Sequence, residues 1–152
     1  MRAVELKVQT FGSRQDKQRI DFSHVDEKAY FFITEPKAAH KITLIDAICF
    51  SLYGKAPLQD HIVHLLKNSE ITYTFWLHQQ KYLVTRRPKR KKLIATVERY
   101  TEVAASANLQ CWNQKDEWNL LHSNIKDVNE AIEKMIGLNY HQFKRMILSP
   151  PR

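Results

Sequence analysis

The chain has 152 residues, of which 43% are hydrophobic, 26% are charged and only three are glycine. Average glycine usage of about 7% would give about ten or eleven glycines at this length. The composition therefore excludes a collagen-like chain, a Gly/Ser linker and a disordered polar tail, and it argues against a function that needs a glycine-rich loop. The length suits a single domain with a sizeable core, and we place no domain boundary within residues 1–152.

The charge balance is strongly basic. Lys and Arg number 24 against 16 Asp and Glu, which gives a net charge of +8. An excess of this size favours a polyanionic partner, with nucleic acid first and an anionic membrane second. General solubility is the alternative explanation of the net charge.

Metal sites and membrane segments are not predicted. The two cysteines, Cys49 and Cys111, are too few for a disulfide framework and too far apart for a zinc knuckle. His61 and His64 are spaced to share a helix face, but no third ligand is evident. The N-terminus has no apolar signal region, and the longest apolar run, residues 29–33, is too short to span a bilayer. We expect a cytoplasmic chain that does not bind a membrane.

The N-terminal residues predict strands. Apolar residues alternate with polar ones from Val4 to Val8, which is the period of a half-buried strand. Ile20 and Phe22 indicate a short return strand, so residues 4–22 form a predicted hairpin with a polar tip. Residues 29–34 are mostly apolar and aromatic, which is typical of a strand buried on both faces, and Pro36 ends it.

A helix is predicted next, because the apolar spacing changes to three and four residues from Lys41 onward. Its buried face consists of Ile42, Ile45, Ile48, Cys49 and Leu52, and it ends near Tyr53. Gly54 stands where a left-handed C-terminal cap is expected. Residues 29–54 therefore form a predicted strand–loop–helix unit, and residues 55–69 are irregular or briefly helical.

Residues 70–121 predict an antiparallel β-meander. Its strands cover Ile71–Leu77, Lys81–Arg87, Leu93–Tyr100, Leu109–Trp112 and Trp118–Leu121. Ser123 or Asn124 caps a predicted helix that Gly137 stops, and a second helix covers about Tyr140–Leu148. The predicted fold class is therefore mixed α/β.

The loop from Thr34 to Thr43 lies between a buried strand and a helix, which is the place of a phosphate-binding loop. The pattern G-x-x-x-x-G-K-[ST] has four fixed positions, of which only Lys41 is present. Glu35 and His40 occupy the glycine positions, and Ile42 occupies the hydroxyl position. The spacing alone therefore does not predict a nucleotide site.

The wider sequence around this loop resembles a known family. The matching residues are Phe31–Thr34, Lys41 and the run TLIDAICFSLYGK from Thr43 to Lys55, together with parts of the opening strands and of the segment 128–143. In these residues, and in order over essentially the whole chain, the sequence is similar to the N-terminal ATPase segment of SbcC. SbcC is an SMC-like ABC ATPase that acts in DNA double-strand break repair.

The resemblance implies a P-loop NTPase-like ABC ATPase N-terminal lobe that binds ATP and Mg²⁺. The partners it implies are DNA, an SbcD-like nuclease subunit, and the C-terminal SbcC lobe or a second head. In the family this lobe is followed by a coiled coil and by further ATPase motifs, which residues 1–152 do not include. We therefore expect a partial ABC head that does not hydrolyse ATP alone.

The family's phosphate loop falls on a segment that departs from its pattern, namely Glu35, Pro36, Lys37, Ala38, Ala39, His40, Lys41, Ile42 and Thr43. Glu35, Ala38 and His40 replace glycines, although the backbone there must adopt positive φ and approach the phosphates closely. Ile42 replaces the serine that binds Mg²⁺, and Pro151 replaces the Q-loop glutamine. We interpret the ATP site as vestigial and assign no catalytic residue.

A basic run from Arg86 to Lys92 is independent of the ATP site. Between residues 81 and 100, eight basic side chains stand against one acid, Glu98, which gives +7 of the net +8. The run predicts a cationic hairpin tip that contacts the DNA backbone without base readout, through Arg86, Arg87, Lys89, Arg90, Lys91 and Lys92. A solvated loop without a ligand is the alternative.

Four aromatic residues near the basic run, Tyr73, Phe75, Trp76 and Tyr82, are assigned to the core of the meander rather than to base stacking.

The function that follows from the resemblance is a role in DNA end processing beside an SbcD-like nuclease. A non-enzymatic DNA-binding module and a remnant interaction domain are the alternatives.

Overall fold

The computed structural model of the chain describes residues 1–10, 17–22, 44–55, 69–94, 96–97 and 99–148. Three predicted features lie outside these ranges: the tip of the first hairpin, the strand over 29–34 and the irregular segment over 56–68. The fold below is that of the described residues.

The first two strands form the predicted hairpin. Strand β1 (Arg2–Thr10) pairs antiparallel with β2 (Lys17–Asp21), with Leu6 opposite Ile20. The alternation that predicted β1 is confirmed, since Leu6 is buried while its neighbours are partly exposed. On its other side β1 pairs with a strand more than fifty residues later in the chain, so the hairpin lies within a larger sheet.

Six further strands follow the first helix. They are β3 (Ser69–Leu77), β4 (Gln80–Arg87), β5 (Arg90–Ile94), β6 (Arg99–Val103), β7 (Ser106–Trp112) and β8 (Trp118–His122). Six strands form one sheet in the order β2-β1-β3-β4-β7-β8, and β5 and β6 form a separate two-stranded sheet. All the strand pairings are antiparallel, as a meander requires.

The prediction of one strand over Leu93–Tyr100 is wrong. Strand β5 ends at Ile94 and β6 begins at Arg99, because the chain reverses between them and the two strands pair with each other. The β-branched residues Ile94, Thr96 and Val97 give the turn the composition of a strand, which is why the sequence pattern ran through it. The β5–β6 hairpin is therefore an insertion between β4 and β7, which pair directly.

Three helices are described, namely α1 (Leu44–Tyr53), α2 (Ile125–Ile136) and α3 (Tyr140–Leu148). Asn124 is the N-cap of α2, and its side chain accepts a hydrogen bond from the backbone N–H of Asp127. Gly54 and Gly137 follow α1 and α2 with φ of 73° and 78°, so the left-handed cap predicted at Gly54 is confirmed, and Gly137 ends its helix as predicted, in the same conformation. None of the described helices is long and apolar enough to cross a membrane.

The helices cover one face of the six-stranded sheet. Helix α1 packs on β3 and β4, α2 packs on β7, and both α2 and α3 contact α1. The core between these layers contains the inward-facing residues of the central strands and the apolar faces of the helices, including Ile71, Tyr73, Phe75, Val84, Leu109, Cys49, Leu52, Val128, Ile132 and Phe143. The alternate strand residues lie on the opposite face, which these helices leave uncovered.

Candidate nucleic-acid interface

The predicted basic run begins at the end of β4 and continues through β5. Arg87 and Lys89 are exposed, and each forms an ion pair at the surface. Arg87 Nη2 lies 2.6 Å from Glu70 Oε2, and Lys89 Nζ lies 2.7 Å from Glu102 Oε1. Both cations have more than half of their side-chain surface exposed to solvent. Ion pairs of this kind contribute only about 0–1 kcal/mol, so a phosphate can replace either acid at little cost.

The next three cations lie on the inserted hairpin. Arg90, Lys91 and Lys92 stand opposite Val103, Glu102 and Thr101 in the β5–β6 register. Within the described residues this hairpin shares no backbone hydrogen bond with the six-stranded sheet. The structure thus places three adjacent cations on a two-stranded element outside the sheet, but the predicted hairpin tip is wrong, because Arg90, Lys91 and Lys92 begin strand β5 and the turn follows Ile94.

Arg86 is not part of this surface, and its assignment to DNA contact is corrected. Its residue surface is only 4% exposed, because it lies on the inward face of β4, two residues after the buried Val84. Its Nε donates to the carbonyl of Ser51 at 2.7 Å, and its Nη2 donates to the carbonyl of Leu52 at 2.8 Å. The alternation of β4 contained this signal, whereas charge alone had grouped Arg86 with its neighbours.

Arg86 also joins two helices. Its Nη2 donates to Asn129 Oδ1 at 2.6 Å, so one guanidinium links β4, the C-terminal end of α1 and α2. Carbonyls in the last turn of a helix have no intrahelical partner, and a cation near them complements the helix dipole. Burial lowers the pKa of Arg86 to about 10. The role that the contacts support is therefore structural.

A cleft of about 340 Å³ lies beside these residues. Its walls come from the end of α1, the end of β4 and the beginning of α2, and they include Lys55, Arg87, Lys89, Ser106 and Asn129. Three of these five side chains are cationic at neutral pH. Apolar side chains form most of the remaining wall, so the cleft is a mainly apolar space with cations on its walls.

The predicted phosphate-loop residues, from Glu35 to Thr43, and Pro151 lie outside the described residues. The sequence nevertheless shows which functional groups their side chains carry. The side chain of Ile42 offers no oxygen to Mg²⁺, and Pro151 offers neither a donor nor an acceptor in its side chain. Among the described residues, no group of three His, Cys, Asp or Glu side chains is placed to hold a metal ion. That this segment does not fit the Mg²⁺–ATP site of the family stays a prediction from the sequence.

The sequence matches curated proteins along nearly its whole length. The SbcC subunit of the nuclease SbcCD from Vibrio cholerae is 26% identical over 158 residues, and the corresponding protein from Bacillus subtilis is 28% identical over 161 residues. Clostridium acetobutylicum has a third SbcC protein, 26% identical over 155 residues. Each match covers 99% of this chain. The chain is similar to SbcC.

This similarity agrees with the resemblance found in the motifs, and it is consistent with an N-terminal segment of SbcC. The chain spans 13–16% of the length of these SbcC relatives. No family model matches the chain.

The aromatic residues divide between the two faces of the sheet. Tyr73 and Phe75 are buried in the core with their ring centroids 5.2 Å apart, as predicted. Trp76 is different, because it lies on the face opposite the helices together with Trp112 and Trp118. Sequence reasoning missed this cluster because its members come from three strands and meet only through the strand register.

Proposed function

We propose that the chain acts as an SbcC-like segment that contacts DNA beside an SbcD-like nuclease subunit, in the processing of DNA ends during double-strand break repair. The similarity to SbcC over 99% of the chain supports the family-level role. The observation that carries DNA contact is the inserted β5–β6 hairpin, which bears Arg90, Lys91 and Lys92 directly after the exposed Arg87 and Lys89.

The expected binding mode is electrostatic and independent of sequence. Cations on a hairpin bind phosphate oxygens and release counterions, so affinity falls steeply as salt rises. Nothing in the sequence of this hairpin predicts base readout, so the proposed contacts go to the phosphates. The contacts of Arg87 and Lys89 with Glu70 and Glu102 are exposed, and we expect phosphates to displace them.

The proposed function does not include ATP hydrolysis by this chain. Ile42 and Pro151 lack the atoms that hold Mg²⁺ and the attacking water in the family, and His40 adds bulk where the phosphates lie. Titration with ATP in the presence and absence of Mg²⁺ tests this point. We expect no Mg²⁺-dependent affinity, and micromolar Mg²⁺-dependent binding would show that the site is functional.

Charge reversal of the hairpin tests DNA contact. The triple variant Arg90→Glu, Lys91→Glu and Lys92→Glu is titrated against a fluorescein-labelled blunt duplex, and binding is followed by anisotropy over a range of salt. We expect at least a tenfold loss of affinity. The slope of log affinity against log salt should fall by about 0.9 for each phosphate that the variant no longer neutralises.

A matched control separates the position of the charges from their number. Lys115, Lys126 and Lys134 are exposed residues outside the hairpin, and their reversal to Glu changes the net charge by the same amount. We expect a much smaller loss of affinity in this variant, with most of the salt dependence retained. Equal losses in the two triple variants would mean that net charge alone drives binding and that the hairpin is a solvated loop.

A further inference from the structure

A row of cationic and aromatic side chains crosses the sheet face that the described helices leave uncovered. The register places Arg2 opposite Trp76, Trp76 opposite Lys81, and Trp112 opposite Trp118. The row therefore runs across β1, β3, β4, β7 and β8. It contains all three tryptophans of the chain.

Lys81 occupies the centre of this row. Its Nζ lies 4.7 Å from the ring centroid of Trp112, 5.6 Å from that of Trp118 and 5.8 Å from that of Trp76. Arg2 Cζ lies 5.7 Å from the centroid of Trp76 on the outer side of the row. Cation–π contacts at these distances bring the indoles and the cations together in one row, and they are weak enough at an exposed site for a ligand to replace them.

A cleft of about 350 Å³ opens at the end of the β3–β4 hairpin beside this row. Trp76, Lys81 and Trp112 form part of its wall, and the amide side chains of Gln79, Gln80 and Asn113 complete the polar part. Gln80 Nε2 donates to the carbonyl of Trp112, which holds one amide in place. Indole rings, an ammonium group and several amides meet in a space large enough for one planar heterocycle.

We propose that this cleft binds an unpaired base of single-stranded DNA, which stacks on the indoles of Trp76 and Trp112 as Lys81 moves from the ring faces to the phosphates, with Arg2 at the outer side of Trp76. Bases stack on aromatic side chains without regard to sequence, and nearby cations bind the backbone. The amides add hydrogen-bond donors and acceptors for base edges. This site deepens the proposed function, because it would hold the unpaired strand of a DNA end while the hairpin contacts the duplex.

Charge complementarity favours a nucleic acid as the occupant. The row presents two cations, and Glu5, which lies on the same face, is paired with Lys7 and Arg19. An intact duplex has its bases stacked and paired, so it presents backbone and base edges but no free base face for stacking. The expected ligand is therefore single-stranded rather than double-stranded.

Tryptophan fluorescence tests this inference directly, since every tryptophan of the chain lies in the row. The full chain is titrated with an oligo(dT) strand and with a blunt duplex, and emission is recorded together with anisotropy of a labelled DNA. We expect oligo(dT) to quench the emission in the concentration range where anisotropy rises. The duplex should raise the anisotropy with little quenching.

Two variants locate the site. Trp112→Leu removes one stacking partner and should weaken binding of oligo(dT) about tenfold while leaving duplex affinity within about twofold. Lys81→Gln should weaken oligo(dT) binding and lower its salt slope by about 0.7, the value for one contact with a single strand. Lys115→Gln, a nearby exposed residue in the β7–β8 turn, is the matched control and should change neither affinity.

The outcomes separate this inference from the proposed function. Duplex binding that needs the hairpin, together with oligo(dT) binding that leaves the emission unchanged, overturns the base site and leaves the proposed function intact. Equal losses for both DNA forms in Trp112→Leu also overturn it. If Trp112→Leu does not fold, the quenching of the unmodified chain and the Lys81→Gln titration still decide the question. No binding of either DNA form contradicts both proposals.

Discussion

Arg86 contributes to stability through contacts that a surface lysine or arginine cannot make. It donates to the carbonyls of Ser51 and Leu52 and to the side chain of Asn129, and it is almost fully buried. We predict that Arg86→Met lowers the free energy of unfolding by about 2–4 kcal/mol, because two helix-end carbonyls lose their donors. Urea denaturation measures this loss.

Arg87→Met is the matched control for that measurement. Arg87 is the next residue, but its side chain is more than half exposed and pairs with Glu70 at the surface. We expect its replacement to change stability by about 0–1 kcal/mol. Similar losses in both variants would show that the burial of Arg86 does not matter.

Arg86 also marks the limit of prediction at single residues. The concentration of charge in the basic run is evident from the sequence, whereas the inward orientation of Arg86 and the place of Arg90–Ile94 in a strand are not evident from charge. Strand alternation carried that information, because Arg86 shares a face with Val84. The Trp row could not be found in this way, since its members meet through the pairing of β1 with β3 and of β4 with β7, strands that are far apart in the chain.

At the scale of secondary-structure elements, the two glycines at helix ends differ in their surroundings. Both have φ in the left-handed region, but a Cβ on Gly54 would lie 3.3 Å from Arg86 Nη1, while a Cβ on Gly137 would meet nothing within 4 Å. We predict that Gly137→Ala costs about 1 kcal/mol from the backbone conformation alone.

Gly54→Ala should cost more than Gly137→Ala, because the added methyl group crowds the guanidinium that joins α1 to β4. Thermal or urea unfolding of the two variants side by side measures the difference. Equal costs would contradict the close approach of Arg86 to the end of α1.

The elements with strong periodicity were predictable. The first hairpin, the caps of α2 and the end of α1 follow from alternation, from Asn124 and Gly137, and from three- and four-residue spacing. The β5–β6 hairpin was not, because β-branched residues continue through its turn. The hairpin can be recognised only from the strand pairing, because β4 pairs with β7 and leaves β5 and β6 to pair with each other. A local sequence pattern does not predict which distant strands pair.

At the scale of the whole molecule, the positive charge is concentrated rather than spread. Residues 81–100 carry +7 of the net +8. Among these cations, Arg86 is buried between β4 and the helices, Lys81 lies in the row on the uncovered sheet face, and Arg90, Lys91 and Lys92 lie on the β5–β6 hairpin. The three positions have different neighbours and therefore different expected roles. Only the hairpin combines several adjacent cations with freedom from the sheet.

The low glycine content is most relevant in the segment that resembles a phosphate loop. Gly54 and Gly137 both lie at helix ends with positive φ, where glycine is needed. The segment that resembles a phosphate loop, from Glu35 to Thr43, contains none. The composition is therefore compatible with the SbcC-like sequence and unfavourable to nucleotide binding.

Hydrogen exchange of the full chain, with and without a blunt DNA duplex, tests the central claim most directly. An isolated two-stranded hairpin is marginally stable, so its amides should exchange quickly in the free chain. We predict that saturating duplex slows exchange in the peptides covering Arg87–Val103 and leaves those of α2 unchanged. Bound duplex that protects other segments while β5 and β6 exchange at their free rates would contradict the assignment of DNA contact to this hairpin.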